Sequence, residues 1–184
     1  VVQPPFALVR LAGRTTLLAG GIAGGLVSLS RESPGWTSHL MVEAVDVAAV
    51  GLGQTPVGVL ALYLDRTDGG LYQVIEDEVG SVVVSELAQG VRTPDSLGTP
   101  ERVAVASGNG AAYVLYHDVG SGELRFLRGE EGWVWSEVDS STRPTIFLPA
   151  LVGVPDGEPL PVGVDLGDGA GGPGLFELLP FAHR

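Results

Sequence analysis

The chain has 184 residues, 45% of them apolar and 17% charged, enough to bury a core and too poor in charge for a disordered polymer. Its net charge is −12, and all ten basic residues are arginine, which argues against binding a nucleic-acid phosphate backbone. The absence of cysteine excludes disulfides, zinc–thiolate centres and thiol nucleophiles together.

Read from its start, the chain is a succession of short strands, as its 28 glycines and 13 prolines lead one to expect. It opens on Val1 without an initiator methionine, so an upstream part is expected to have been removed. The first unit, residues 6–43, contains the strand-like runs FALVRLAG, TTLLAGG, GLVSLS and GWTSHLMV. Within it, the 16 residues from Thr15 to Ser30 are uncharged. They fall short of the roughly 20 apolar residues of a spanning helix, and glycine is a poor helix former. Two strands about a glycine turn are predicted instead. The stretch also lacks the basic start of a signal peptide.

The second unit, residues 44–91, gives strands over Val47–Val50, Val57–Leu64, Leu71–Ile75 and Ser81–Leu87, with a predicted turn at Gly51–Gln54. Its tip reads YLDRTDGGLY, and nearly the same text returns as YHDVGSGEL in the third unit, residues 101–139. That unit predicts strands at Val103–Ala106, Ala112–Tyr116, Leu124–Leu127 and Trp133–Val138. The tips Gly108-Asn109-Gly110, Asp118–Gly122 and Glu130-Glu131-Gly132 join them as successive hairpins. The fourth unit, residues 144–184, offers TIFLPALVGV, LPVGVDL and LFELLPF and lacks a fourth strand. The leucine opening each third strand falls at Leu26, Leu71, Leu124 and Leu175, at spacings of 45, 53 and 51 residues. Four-stranded units at this period point to an all-β, β-propeller-like array of about four antiparallel blades in one domain, residues 1–184. Such an array is either a small closed propeller or part of a larger one.

The third unit, AAYVLYHDVGSGELRFLRGEEGWVWSEVD, resembles the degenerate blades of bacterial secreted β-propellers, including sialidase-like and lectin-like ones. The resemblance is one of fold. The units carry no WD pair, no kelch double glycine and no sialidase Asp-box, and the recurring Arg/Glu/Trp set of the fucose lectins does not align across them. It implies a secreted, cell-surface or periplasmic protein that works by binding.

The hairpin tips hold the chemistry-bearing residues. Asp65 with Asp68, Asp118 with Ser121, and Asp165 with Asp168 share a D-x-x-[DS]-G pattern. Asp and Gly in such loops cap the turn backbone and supply φ > 0, and that is the favoured role. Calcium is the cation these five aspartates could hold, although each tip offers only two or three side-chain oxygens where calcium takes about six to eight. No other cofactor is expected. His117, beside Asp118, is the best general-base candidate for catalysis, but Leu64 takes its place in the second unit. The three histidines have no metal-pair spacing, and no G-x-S-x-G elbow or P-loop is present. The runs Glu76-Asp77-Glu78 and Glu130-Glu131 fall in predicted turns, where charge is solvated. Trp133 and Trp135 share one face of a strand by its two-residue period, as inter-blade packing or as a stacking platform for a sugar.

These residues favour a non-catalytic binding module whose ligand is a carbohydrate or a protein. The ligand is expected at Asp65, Asp68, Tyr116, His117, Asp118, Trp133 and Trp135, on the tips or in the grooves between blades. The competing readings are a fragment of a polysaccharide hydrolase or lyase, and a structural subunit of a larger surface complex. The unfinished last unit predicts an unpaired sheet edge, open to a partner chain or to self-association.

Overall fold

The computed structural model describes residues 5–11, 14–21, 23–32, 35–55, 58–76, 81–91, 103–108, 111–118, 123–129, 135–142, 147–152, 160–165 and 174–177. Among them every regular element is a strand. Blade 1 consists of β1 (Phe6–Leu11), β2 (Arg14–Gly20), β3 (Leu26–Glu32) and β4 (Gly35–Val42). Blade 2 follows with β5 (Val47–Thr55), β6 (Gly58–Asp65), β7 (Leu71–Glu76) and β8 (Val82–Ala88). Blade 3 is β9 (Val103–Gly108), β10 (Ala111–Asp118), β11 (Glu123–Gly129) and β12 (Trp135–Thr142). Blade 4 has β13 (Phe147–Val152), β14 (Leu160–Asp165) and β15 (Gly174–Glu177). Each blade is an antiparallel meander with its strands in chain order, three-stranded among the described residues of blade 4. No described helix is long and apolar enough to cross a membrane.

The uncharged stretch from Thr15 to Ser30 forms β2 and β3, paired from Thr15↔Arg31 to Gly20↔Leu26. Short-range chemistry explains why: β-branched and leucine residues alternate on either side of a glycine tip. Register also places the four marker leucines equivalently. Leu71 pairs with Leu64, Leu124 with His117 and Leu175 with Val164, in each case the residue just before the tip aspartate. Leu26 pairs with Gly20, at the end of β2. Leu26 and Leu71 are both 0% exposed. Each also stands at a register shift against the fourth strand of its blade.

The first strands of successive blades pack in series, β1 on β5, β5 on β9 and β9 on β13, whereas no two fourth strands of the described residues pack comparably. The sheets therefore fan outward from a row of inner strands. Each blade has a leading face toward its predecessor and a trailing face toward its successor. Alternation along the strands splits the apolar residues between the two. Leu18 and Leu26 on the trailing face of blade 1 meet Val50, Ala61, Tyr63 and Val74 on the leading face of blade 2. Leu60, Leu62, Leu64 and Leu71 on the trailing face of blade 2 meet Val103, Ala112, Val114 and Tyr116 of blade 3. Ala111, Tyr113, Leu115 and Phe126 form the trailing cluster of blade 3.

One expectation is overturned. Gly51–Gln54 is not a turn but the interior of β5, in register with Leu62, Ala61, Leu60 and Val59 of β6. The glycines are there for space: a Cβ on Gly51 would lie 2.9 Å from Val105 and 3.1 Å from Val103 of the neighbouring blade. Inner strands crowd where the blades converge, and only a residue without a side chain fits.

Candidate functional site

The acidic tips occupy one repeated place in the fold. Asp65, Asp118 and Asp165 are the last residues of β6, β10 and β14, the second strand of blades 2, 3 and 4. The tip of blade 2 shows how such a loop is built. Asp65 Oδ1 accepts a hydrogen bond from the Thr67 amide at 2.8 Å, and Asp68 Oδ1 accepts one from the Gly70 amide at 2.8 Å. The Gly69 amide donates to the Asp65 carbonyl at 3.0 Å, with Gly69 at φ 74°, a conformation glycine reaches without steric cost.

This tip is tied to the connection between blades 1 and 2. The Arg66 amide donates to the Asp46 carbonyl at 2.6 Å, and the Arg66 guanidinium donates to the Asp46 carboxylate. The same connection holds the tip of blade 1, where the Gly25 amide donates to the Val45 carbonyl at 2.7 Å. Tips and inter-blade connections thus build one rim of the array.

A tyrosine stands beneath the tip aspartate in blades 2 and 3. Tyr63 on β6 and Tyr116 on β10 are buried in the inter-blade cores. Their cross-strand partners are Tyr72 and Arg125. Each partner reaches up to a tip aspartate: the Tyr72 hydroxyl donates to Asp68 Oδ2 at 2.6 Å, and Arg125 Nε donates to Asp118 Oδ2 at 3.0 Å. Tyr63 and Tyr72 also stack, with centroids 5.1 Å apart and an interplanar angle of 17°. Neither Tyr72 nor Arg125 stood out in the sequence, because their partners lie across a hairpin. Their common place, one residue past the repeated Leu71 and Leu124, offered the only local signal.

The carboxylates act on the phenols. The hydrogen bond to Asp68, then burial, holds Tyr72 well above the ordinary phenol range. Burial first, then the charges of Asp65 and Asp68, pushes Tyr63 up to about 12. Above an ordinary phenol pKa of about 10 the unfolded chain releases protons that the folded chain retains, so unfolding binds fewer protons and stability falls as pH rises. Stability is expected to be flat with respect to these groups below about pH 9 and to decline from about pH 10 upward. Chemical denaturation at a series of pH values checks this, and Tyr72→Phe should flatten the alkaline decline.

The remaining predicted residues are placed as follows. His117 precedes Asp118 on β10 and Trp135 opens β12; both are located by their strands alone. Asp165 ends β14, whereas Trp133 and Asp168 lie outside the described residues. Tyr116 is part of the core rather than of the rim. No group of three or more His, Cys, Asp or Glu among the described residues is arranged to hold a metal ion. Glu76 ends β7 and faces His39 of blade 1, with Glu76 Oε1 3.4 Å from His39 Nδ1 and both side chains exposed. Asp77 and Glu78 lie outside the described residues.

No protein-family model matches the chain, and no curated protein matches it in sequence. Solved structures do. A point mutant of Aleuria aurantia lectin in complex with α-methyl-L-fucoside superposes with a TM-score of 0.63 at 12% identity, covering 88% of this chain and 54% of that one. The same lectin with Fucα1-6GlcNAc gives 0.63 at 12% identity, covering 88% of this chain and 55% of that one. AofleA from Arthrobotrys oligospora gives 0.59 at 13% identity, covering 95% and 56%. The chain therefore spans about half the length of these structures. At such identity the likeness establishes the fold, a β-propeller array of antiparallel blades.

Proposed function

We propose that this array is a non-catalytic module that binds carbohydrate. The supporting observation is its likeness, over 88% of the chain, to a lectin whose two structures each hold a fucoside. The rim suits such a role chemically. Sugar hydroxyls are bound by fixed acceptors and donors, and sugar C–H faces by aromatic rings. Asp68 is exposed and already oriented by the Gly70 amide and by Tyr72, so its carboxylate presents lone pairs at little entropic cost, whereas Asp65 and Asp118 are buried and brace the tips from within. His117 and the tryptophans Trp133 and Trp135 complete the proposed contacts, with Tyr116 supporting them from the core. Such a module would meet glycans after secretion or at the cell surface.

A glycan array followed by calorimetry, with α-methyl-L-fucoside as the first probe, tests the reading. Saturable binding is expected. Trp135→Ala should weaken it about tenfold, equivalent to ~1.4 kcal/mol, with the far-UV spectrum unchanged. An array silent for every glycan class, with folded protein, would overturn the proposal.

A further inference from the structure

Asp68 is followed by Gly69, the one aspartyl–glycyl bond among the described residues. An aspartate before glycine isomerises without an enzyme. The glycine nitrogen attacks the side-chain carboxyl carbon, a new C–N bond forms, and the amide proton and a carboxyl oxygen leave as water. Water then reopens the resulting succinimide at either carbonyl, restoring aspartate or leaving a β-linked isoaspartate. The chain gains and loses no atoms overall, and no oxidant or cofactor takes part. Glycine favours the attack because it has no Cβ to crowd the nitrogen or restrict the backbone. Blade 3 has Ser121-Gly122 at the same place in the tip pattern, with no carboxyl to attack, and Asp168-Gly169 lies outside the described residues.

The fold holds both reacting atoms apart from each other. The nucleophile is the Gly69 nitrogen, and its N–H donates to the Asp65 carbonyl at 3.0 Å, which shields the proton that must leave. The electrophile is Asp68 Cγ, which has to turn over that nitrogen. Both of its oxygens are engaged elsewhere: Oδ1 accepts from the Gly70 amide at 2.8 Å, and Oδ2 from the Tyr72 hydroxyl at 2.6 Å. Tyr72 is itself anchored. Its ring stacks on buried Tyr63 and lies against Gly70, where a Cβ would be 2.7 Å from Tyr72 Cε2. The amide bonds are made by the tip's own backbone, whereas the bond from Tyr72 comes from a side chain beyond it.

We propose that Asp68-Gly69 is a self-modification site that the Tyr72 hydroxyl keeps closed. Tyr72 is a positioning residue in this: it makes and breaks no covalent bond, and it acts by fixing where the carboxylate points. Isomerisation lengthens the tip backbone by one methylene and shortens the side chain, so the exposed carboxylate leaves the phenol. The inference rests on the tip alone and is independent of what the rim binds.

Peptide mapping of the full chain, after incubation at neutral pH and physiological temperature, tests it. With no lysine in the chain, trypsin releases the site in one peptide, Thr67 to Arg92. Its isoaspartyl form separates by chromatography at unchanged mass, and fragmentation assigns the change to Asp68 rather than Asp77. In urea the unfolded chain should accumulate this form at least about tenfold faster than the folded one, since all three restraints are lost. Tyr72→Phe should raise the rate in the folded chain by about tenfold, the weight of one hydrogen bond to a carboxylate. Tyr63→Phe removes a hydroxyl from the same stack but not the bond to Asp68, and should leave the rate as it is. Asp68→Ser should abolish the product. Chemical denaturation confirms that each variant is folded. A Tyr72→Phe rate equal to that of the wild-type chain, or matched by Tyr63→Phe, would overturn the role of Tyr72. An unfolded chain without isoaspartate at Asp68 would overturn the site.

Discussion

Leu71→Ala is expected to cost about 2–5 kcal/mol, the range for emptying a fully buried leucine site in a core that relaxes only partly. Leu71 is 0% exposed and sits at the junction of two sheets, packed among Leu62, Leu64 and residues of blade 3. At roughly 2–4 °C per kcal/mol for a chain of this size, the melting temperature should fall visibly in a calorimetric scan. Leu26→Ala should behave alike, since Leu26 occupies the same strand position and is equally buried. Val83→Ala, on a side chain 56% exposed, should stay within about 0.5 kcal/mol. Because Leu124 has the corresponding register opposite His117, the repeat scheme places Leu124→Ala with the large losses. A neutral Leu124→Ala would mean that the blades are not equivalent.

Gly53→Ala is expected to destabilise by about 1–3 kcal/mol, although alanine is ordinarily harmless in an exposed strand. The added methyl would meet Val105 of the next blade, at 3.0 Å from its Cβ and closer still to Cγ1. Valine is branched at Cβ and has little rotamer freedom, so it cannot swing aside. Relief must come from moving β5 away from β9, which opens the core between blades 2 and 3. Denaturant titration of the double mutant Gly53→Ala/Val105→Ala tests this cause. The two losses should combine to at least about 1 kcal/mol less than their sum, because trimming Val105 makes room for the methyl. Simple additivity would show that the glycine serves some other purpose.

The tips and the marker leucines illustrate how much of this architecture is local. Asp65-Arg66-Thr67-Asp68-Gly69-Gly70 closes a hairpin through contacts within its own six residues, apart from the Arg66 tie to Asp46 and the Tyr72 hydroxyl on Asp68. Such a loop is recognisable wherever its text recurs, and its recurrence before Leu124 marked the third blade. The four strands of blade 1 were legible for the same reason, since apolar alternation broken by glycine is a property of neighbouring residues.

Gly51 and Gly53 were misread for the opposite reason. Glycine in a sequence signals a turn when the nearest cause is considered, but here the cause is Val103 and Val105, some fifty residues away. Tyr116 was expected with His117 and Asp118 among the ligand-binding residues of the tips and inter-blade grooves. Which side of β10 it occupies matters only once blade 2 is packed against that side, and there it is buried. Tyr72 and Arg125 went unnoticed because each acts on an aspartate across a hairpin, four and seven residues back.

What the chain's own text determined is the set of repeated ribbons: strand period, tip chemistry and the leucine spacing, all governed by interactions a few residues long. The tertiary structure alone decided which face of each ribbon meets a neighbour and where the blades come too close for a side chain. It also decided which apolar side chains, Phe6 and Leu8 among them, stay exposed. Those outcomes depend on contacts between blades. The burial they bring exists only after the sheets have stacked, so no stretch of sequence carries it by itself.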